Sequence, residues 1–198
     1  MKYKYIAIER EYGSCGTQIG QELAKECGIP CYGREILEMI SEKYHISVEQ
    51  IEKYEEKATN SFLYSIALMG KIQSAEEDIW SREEKIYLEE QRLIKQLASE
   101  GPAVFVGRCA SAALENQKNV LRVFIYADTD FRKENAIQKY GIAEKAVENV
   151  LKRYDRKRGS YYGANTGKNW KDWRNYDIIL NSGKLGISGC VNTLKSLQ

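Results

Sequence analysis

The chain of 198 residues is long enough for one domain with a sizeable core, and its 43% hydrophobic content excludes an intrinsically disordered protein. Its formal net charge of +2 predicts no nucleic-acid or membrane partner, and no apolar run reaches the ~18–20 residues that span a bilayer. The five cysteines form no Cys-x-x-Cys pair and no signal-peptide pattern is present, so we expect reduced thiols and a cytoplasmic location. The single histidine, His45, excludes a zinc site built on several histidines.

The first apolar run ends in a glycine-containing loop, and a helical pattern follows that loop. Residues 5–8 predict a buried strand because they are apolar and partly β-branched. Ile19, Leu23 and Cys27 recur four residues apart, which places them on one face of a helix that Gly28 ends. The next predicted elements are a short strand or turn over 29–32 and a helix over 34–43.

The stretch from 47 to 100 carries no strand signal and is dense in Glu, Lys and Gln, which predicts a helical insertion or subdomain. Ser47 with Gln50, and Ser81 with Glu84, have the spacing of capping boxes that begin helices. Apolar residues at helical spacing between these boxes predict one further helix: Phe62, Ile66 and Met69.

The second half of the chain alternates between strand and helix patterns. The predicted elements are strands over 103–106 and 120–127, helices over 130–140 and 143–158, a loop over 159–173, a strand over 177–180 and a helix over 187–197. This alternation predicts an α/β fold with a parallel sheet covered by helices on both faces. Ligands bind such sheets beyond the carboxyl ends of the strands, where three loops begin. These are residues 10–17, 107–108 and 181–183.

The loop of residues 13–17 has features of an anion site. Gly13 and Gly16 allow the backbone to approach a phosphate, and a helix N-terminus attracts negative charge. Ser14 and Thr17 offer hydroxyls to a phosphate or to Mg²⁺. The spacing does not match G-x-G-x-x-G. It does not match G-x-x-x-x-G-K-[ST] either, because Gly16 stands where the lysine belongs. A plain strand-to-helix turn is the alternative interpretation.

Four segments in order carry a resemblance to a known family. They read REYGSCGTQIGQELAKECGIPCYGREIL, VFVGRCASAAL, DRKRGSYYGANTGKNW and NYDIILNSGKLGI. In this order they resemble the cytidylate kinase-like family, a divergent branch of the P-loop nucleoside monophosphate kinases. The resemblance implies a P-loop NTPase-like fold in a single domain over 1–198, with the helical insertion at 47–100 and a lid at 153–173.

The resemblance also implies roles for individual residues. We expect the triphosphate, ATP or a relative, to bind at Gly13, Ser14, Cys15, Gly16, Thr17, Arg132 and Asn181, with Mg²⁺ at Thr17. The acceptor is expected at Arg34 and Arg108, and the catalytic groups are expected to be Arg10, Asp155, Arg156 and Arg158. Cys109 stands where cytidylate kinases have an Asp after the Gly-Arg pair, so cytidine specificity does not follow.

The missing lysine calls for another cation that faces the transferred phosphate. Arg10 is the nearest candidate in sequence, although it could equally pair with Glu11 or Glu35, and Arg156 and Arg158 are candidates from the lid.

Two functions remain open from the sequence. The first is a kinase that transfers a phosphoryl group to a small phosphorylated acceptor, such as a nucleoside monophosphate. The second is a non-catalytic nucleotide- or phosphate-binding protein of the same fold. A short-chain oxidoreductase is excluded because its Tyr-x-x-x-Lys motif does not occur. The expected partners are a small nucleotide substrate and a second copy of the chain bound through the helical insertion.

Overall fold

The computed structural model describes residues 2–59 and 82–197. Five parallel strands form one sheet in the order β2-β3-β1-β4-β5. The strands are β1 (Tyr5–Arg10), β2 (Cys31–Tyr32), β3 (Ala103–Val106), β4 (Val120–Tyr126) and β5 (Ile178–Asn181). The predicted parallel α/β fold is therefore confirmed.

Eight α-helices occur among the described residues. They are α1 (Gly16–Cys27), α2 (Arg34–Tyr44), α3 (Val48–Thr59), α4 (Arg82–Glu100), α5 (Ala110–Ala113), α6 (Thr129–Tyr140), α7 (Glu144–Thr166) and α8 (Ser182–Ser196). A short 3₁₀ helix, Trp173–Asn175, precedes β5.

The sheet divides the core into two layers, and side chains of its central strand, β1, enter both. Ile6 and Ile8 pack into one cluster with residues of α1 and α8, whereas Tyr5 and Ala7 pack into another with residues of α2 and α4. Successive side chains of a strand point to opposite faces, which explains this division. The same alternation puts Glu9 on the face of Tyr5 and Ala7.

Local signals fixed several helix ends as predicted. Gly28 caps α1 in the left-handed conformation, and its N–H bonds to the carbonyl oxygens of Ala24 and Lys25. The Ser47 hydroxyl accepts a 3.2 Å hydrogen bond from the Gln50 backbone N–H, which confirms the N-cap of the first predicted box. The box at Ser81 and the predicted helix around Phe62 lie outside the described residues.

The prediction of a loop over 159–173 was wrong in its first half, because α7 continues to Thr166. The burial of Tyr162, which is 3% exposed, holds this turn in place despite the two nearby glycines. The helix ends at Gly167, whose φ of 68° suits a residue without a side chain. The short helix α5 was missed, and so was the first turn of α8, residues 182–185. The non-helical angles of Gly186, φ 66° and ψ 174°, separate this turn from the helix that was predicted to start at residue 187.

The described part of the helical middle packs back onto the sheet domain. Helix α4 lies against α2 and α5, while α3 contacts both α4 and α7. The boundaries of an insertion at 47–100 and of a lid at 153–173 stay predictions. In the described ranges, no helix is long and apolar enough to cross a membrane.

Candidate active site

A cleft of about 400 Å³ opens at the carboxyl edge of the sheet. Its walls come from the ends of β1 and β3, the start of α2, helix α3 and the second half of α7. The lining residues are Glu9, Arg10, Gly33, Arg34, Glu52, Val106, Gly107, Arg108, Cys109, Tyr154, Lys157, Arg158, Tyr161 and Tyr162. The structure thus brings together four of the predicted site residues, Arg10, Arg34, Arg108 and Arg158.

The glycine loop, residues 11–17, connects β1 to α1 with two left-handed residues, Gly13 at φ 79° and Cys15 at φ 58°. A Cβ at Gly13 would lie 2.6 Å from the Arg132 carbonyl oxygen, so only glycine fits there. In the described chain, the N-cap residue Cys15 makes no side-chain capping bond and no acidic residue lies in the first turn of α1. This helix end can therefore accept an external anion.

Two loop residues that were predicted to bind the triphosphate have side chains that point into the protein. Ser14 is fully buried, and its hydroxyl donates to the carbonyl oxygens of Glu11 and Ile125 at 2.8 and 3.2 Å. The Cys15 thiol is buried beside Lys139, whose Nζ lies 3.4 Å from Sγ. In this conformation both side chains are buried, and the Ser14 backbone N–H already donates to the Glu11 carbonyl oxygen at 3.3 Å.

The side chain of Arg10 crosses the cleft over two glycines. A Cβ at Gly16 would lie 2.4 Å from Cβ of Arg10, so Arg10 occupies the space that a side chain at position 16 would need. Its Nη1 lies over Gly107, where a Cβ would again collide with it. Nε of Arg10 is 3.4 Å from Oγ1 of Thr17 in the first turn of α1. The guanidinium thus lies beside the helix end where the lysine is missing.

The alternative partners proposed for Arg10 are engaged elsewhere. Glu11 pairs with Arg132 at 3.0 Å and with Lys171 at 2.9 Å. Oε2 of Glu35 accepts a 2.7 Å hydrogen bond from the Gly33 backbone N–H. These contacts leave the Arg10 guanidinium in the cleft rather than in an ion pair with either carboxylate.

Positive charge exceeds negative charge in the lining of the cleft, because its five arginine and lysine residues outnumber Glu9 and Glu52. Burial lowers the pKa of Arg10 to about 9, and the neighbouring Arg158 and Arg108 act in the same direction. Burial also lowers the pKa of Arg158, whose Nη1 donates a 2.9 Å hydrogen bond to the Arg10 carbonyl oxygen. Glu9 opposes both shifts, but burial raises its own pKa. A bound phosphate would relieve the repulsion among these arginines.

Arg132 fastens the glycine loop to helices α6 and α7. Its guanidinium is 3.0 Å from Glu11, 2.5 Å from Asp155 and 2.7 Å from the Tyr12 carbonyl oxygen. The other oxygen of Asp155 accepts a 2.8 Å hydrogen bond from the Tyr12 backbone N–H. These two residues therefore act on the conformation of the loop, and a direct contact of either with substrate stays a prediction.

The side chain of Arg108 is held in place by the buried carboxylate of Glu90. Its Nη1 is 3.2 Å from Oε1 of Glu90, which is fully buried, and the Tyr161 hydroxyl donates to Oε2 of the same residue. Gly107, Arg108 and Cys109 all have positive φ values, 77°, 58° and 51°. A left-handed backbone costs energy in residues other than glycine, so this segment stores strain beside the cleft.

The remaining predicted residues lie at the rim or outside the cleft. Arg34 is 61% exposed and lies 3.7 Å from Glu52. Arg156 is exposed on α7 and lines a separate depression, because two residues along a helix turn its side chain away from that of Arg158. Asn181 caps α8 by accepting a hydrogen bond from the Gly183 N–H at 3.0 Å.

Sequence reasoning missed Glu9 and its pairing with Trp170. The Trp170 indole N–H donates a 3.0 Å hydrogen bond to Oε2 of Glu9, across 161 positions of the chain. An acidic residue at the end of an apolar strand, directly before an arginine, is the signal that could have found Glu9. Tyr162 also lines the cleft, and burial raises its pKa to about 12.

The residues present fit a metal that is bound mainly through phosphate. Among the described residues, no group of three His, Cys, Asp or Glu side chains could hold an ion by itself. Thr17 is exposed in the first turn of α1, next to the helix end that suits an anion. A hydroxyl in this place can complete the shell of a Mg²⁺ ion whose other ligands are phosphate oxygens and water.

Replacing Gly16 by alanine is expected to destabilise the protein, although alanine usually favours a helix over glycine. The new Cβ would collide with Cβ of Arg10, so we expect a loss of about 1–3 kcal/mol in the free energy of unfolding. Urea unfolding measures it. Gly101→Ala is the matched control, since a Cβ there meets nothing within 4 Å. A Gly16→Ala variant as stable as the control would contradict the observed path of Arg10.

Comparisons with known proteins agree with this architecture. The model of the cytidylate kinase-like family matches residues 5–184. A crystal structure of a protein from Eubacterium ventriosum, described as uncharacterized, has a TM-score of 0.73 at 24% identity and covers 98% of this chain and 96% of that one. No curated protein matches the chain.

Two shikimate kinases share the fold at lower similarity. The enzyme from Bacteroides thetaiotaomicron has a TM-score of 0.53 at 15% identity, covering 98% of this chain and 96% of that one. The enzyme from Acinetobacter baumannii, solved in complex with shikimate, has a TM-score of 0.50 at 12% identity, covering 98% and 91%. These likenesses show the P-loop kinase fold.

Proposed function

The chain belongs to the cytidylate kinase-like family, and on that premise we propose that it transfers a phosphoryl group from a nucleoside triphosphate to a small phosphorylated acceptor. The observation that supports this most strongly is the cluster of Arg10, Arg108 and Arg158 in one cleft, from which Arg10 reaches the open N-terminus of α1. Phosphoryl transfer depends mainly on positioning and on stabilising negative charge. A cleft with excess cationic charge and no histidine suits that chemistry.

The triphosphate, ATP or a relative, is assigned to the glycine loop. Backbone N–H groups at the start of α1 face its phosphates, and Thr17 contributes to binding Mg²⁺. Arg10 takes the place of the missing lysine, because its side chain occupies the space beside Gly16 and ends next to Thr17. Arg158 reaches the same region from α7 and adds a second cation.

The acceptor is assigned to the part of the cleft at Arg108 and Arg34. These residues follow other strands than the glycine loop, so an anionic acceptor there would face the triphosphate across the cleft. The fork of donors of Arg108 suits a phosphate or carboxylate, and Glu90 holds that fork in place.

A non-catalytic phosphate- or nucleotide-binding protein is the second candidate. Gly16 at the position of the lysine favours it, because a lysine normally follows the transferred phosphate. The test is ATP and Mg²⁺ with a panel of acceptors that includes nucleoside monophosphates, sugar phosphates and shikimate, followed by ³¹P NMR. Acceptor-dependent formation of ADP supports the kinase. ATP binding without transfer to any acceptor or to water favours the second candidate.

Substituting Arg108 tests whether this residue binds the acceptor rather than the triphosphate. We expect Arg108→Lys, which keeps a cation beside Glu90, to raise the KM of the acceptor about tenfold or more because it loses the two-pronged contact. The Kd of ATP, measured by titration calorimetry, is expected to stay within about twofold, since one residue of the acceptor half changes. Arg174→Lys, an exposed residue paired with Asp172, is the control. A parallel loss of ATP affinity would move Arg108 to the triphosphate.

A further inference from the structure

A buried carboxylate, Glu9, lies inside the cleft, and the proposed function gives it no task. Glu9 is 7% exposed, yet it lines the cleft at the end of β1. Its Oε2 is taken by the indole N–H of Trp170. Within the described chain, its Oε1 accepts no hydrogen bond and is not enclosed. This oxygen is therefore open to a ligand in the cleft.

The charged and titratable groups around Glu9 come from several elements. Arg10 follows it in β1, Arg108 follows β3, and Arg158 comes from α7. Three further titratable groups also face this region: Cys109 from the end of β3, Tyr162 from α7, and Tyr176, which precedes β5. At this place the three arginines can bind an anionic ligand, and the buried carboxylate can accept a proton from it.

We propose that Oε1 of Glu9 accepts the proton of an acceptor hydroxyl, so that the acceptor is an alcohol that also carries an anionic group. This inference rests on the proposed function and makes it more specific. The anionic group, a phosphate or a carboxylate, binds Arg108, and the hydroxyl lies between Glu9 and the triphosphate.

The step balances without any further reagent. A lone pair of the acceptor oxygen forms a bond to the γ-phosphorus of the triphosphate. The bond between this phosphorus and the bridging oxygen breaks, and its electron pair leaves with the nucleoside diphosphate. The hydroxyl proton passes to Oε1, which converts the carboxylate of Glu9 to a carboxylic acid.

The same carboxylate disfavours a nucleoside monophosphate as the attacking group. A phosphate monoester has a second pKa of about 6, so at neutral pH its oxygen needs no base. Two anions side by side in a buried cleft also repel each other. A hydroxyl, in contrast, gains both a hydrogen-bond acceptor and a place for its proton.

Substrate binding would strengthen Glu9 as a base. Burial raises the pKa of Glu9, and the three neighbouring arginines lower it. Phosphates that bind Arg10 and Arg158 cancel part of this cationic influence, which raises the proton affinity of the carboxylate at the moment of transfer.

Glu9→Gln tests the inference, because glutamine keeps the volume and can still accept from Trp170 but cannot take a proton. With ATP and Mg²⁺, transfer to a hydroxylated anion such as glycerol 3-phosphate, a sugar phosphate or shikimate should lose about 10²–10⁴-fold in kcat. KM for ATP should stay within about twofold, since the arginines remain. The acidic limb of the wild-type pH profile should disappear. Glu148→Gln, an exposed change on α7, is the control.

The fold of the variant can be checked by its melting temperature. A buried group with a raised pKa contributes stability below its unfolded pKa of about 4.3 and loses it as pH rises through the folded pKa. Glutamine removes this loss, so Glu9→Gln should melt at or above the wild-type temperature at pH 8.

The product decides the class of acceptor. A new phosphate ester in the ³¹P spectrum, with activity lost in Glu9→Gln, supports the inference. If no organic acceptor turns over, hydrolysis of ATP by water serves as the hydroxyl reaction, and Glu9→Gln should slow it at least about tenfold. In that case, hydrolysis at an unchanged rate in Glu9→Gln, or no hydrolysis by the wild type, overturns the inference. Phosphorylation of nucleoside monophosphates at full rate in Glu9→Gln overturns it as well. In the last case the kinase stands and only the role of Glu9 fails, whereas absence of ATP binding refutes both.

Discussion

Replacing Arg132 by methionine is expected to lower the free energy of unfolding by about 3–5 kcal/mol, because it leaves Glu11 and Asp155 mostly buried without their shared cation. Methionine keeps the packing of the stem and removes only the guanidinium. The loss corresponds to roughly 6–20 °C in melting temperature for a chain of this size, and thermal unfolding followed by circular dichroism measures it.

The matched control for this prediction lies on the same helix. Lys133→Met breaks a pair with Glu148, whose side chain is 56% exposed, and such pairs contribute about 0–1 kcal/mol. ATP affinity should also fall in Arg132→Met, because the loop at Tyr12 and Gly13 loses its anchor. An Arg132→Met protein of wild-type stability that no longer binds ATP would instead identify Arg132 as a direct ligand of the triphosphate.

Replacing Arg10 by alanine is expected to weaken ATP binding by about 1.5–3 kcal/mol, which is roughly 10- to 150-fold in Kd. The guanidinium lies beside the start of α1, and its burial lowers its pKa to about 9, so it remains charged at neutral pH. Titration calorimetry with ATP and Mg²⁺ measures the change. Arg174→Ala, an exposed substitution outside the cleft, should leave Kd unchanged.

A lysine restored at position 16 should recover part of that affinity only when Arg10 is removed entirely. Alanine at position 10 would keep the Cβ that lies 2.4 Å from a Cβ at position 16, so the double variant to make is Arg10→Gly with Gly16→Lys. Gly16→Lys alone should displace Arg10 and lose stability. Unchanged affinity in Arg10→Ala would transfer the role to Arg158, since Arg156 lies outside the cleft.

Several features of the cleft could be predicted because they depend on short stretches of sequence. The apolar run of β1, the glycines that follow it and the Gly-Arg pair after β3 each mark a strand end. Parallel strands bring such ends to one edge of the sheet, so Arg10 and Arg108 were predicted at the same site. Which of the six predicted arginines line the cleft and which support it was beyond this reasoning.

The supporting contacts could not be predicted because their partners are far apart in sequence. Arg132 meets the carbonyl oxygen of Tyr12 across 120 positions, and Trp170 meets Glu9 across 161. Local patterns determine whether a segment is helix or strand, whereas the choice among equivalent charged residues is made by packing. Helix α7 shows the same limit, since its glycines predicted a loop and the burial of Tyr162 kept it helical.

The sequence by itself determined the parallel sheet, the position of the glycine loop and the family, because hydrophobic periodicity, turn residues and the order of four motifs are all local properties. Only the tertiary structure decided that Arg10 runs over Gly16 and Gly107, and that Glu9 lies among three arginines. The physical reason is that close packing brings side chains from distant strands and helices into one small volume, where steric exclusion and burial, rather than sequence neighbours, set their partners and their charge.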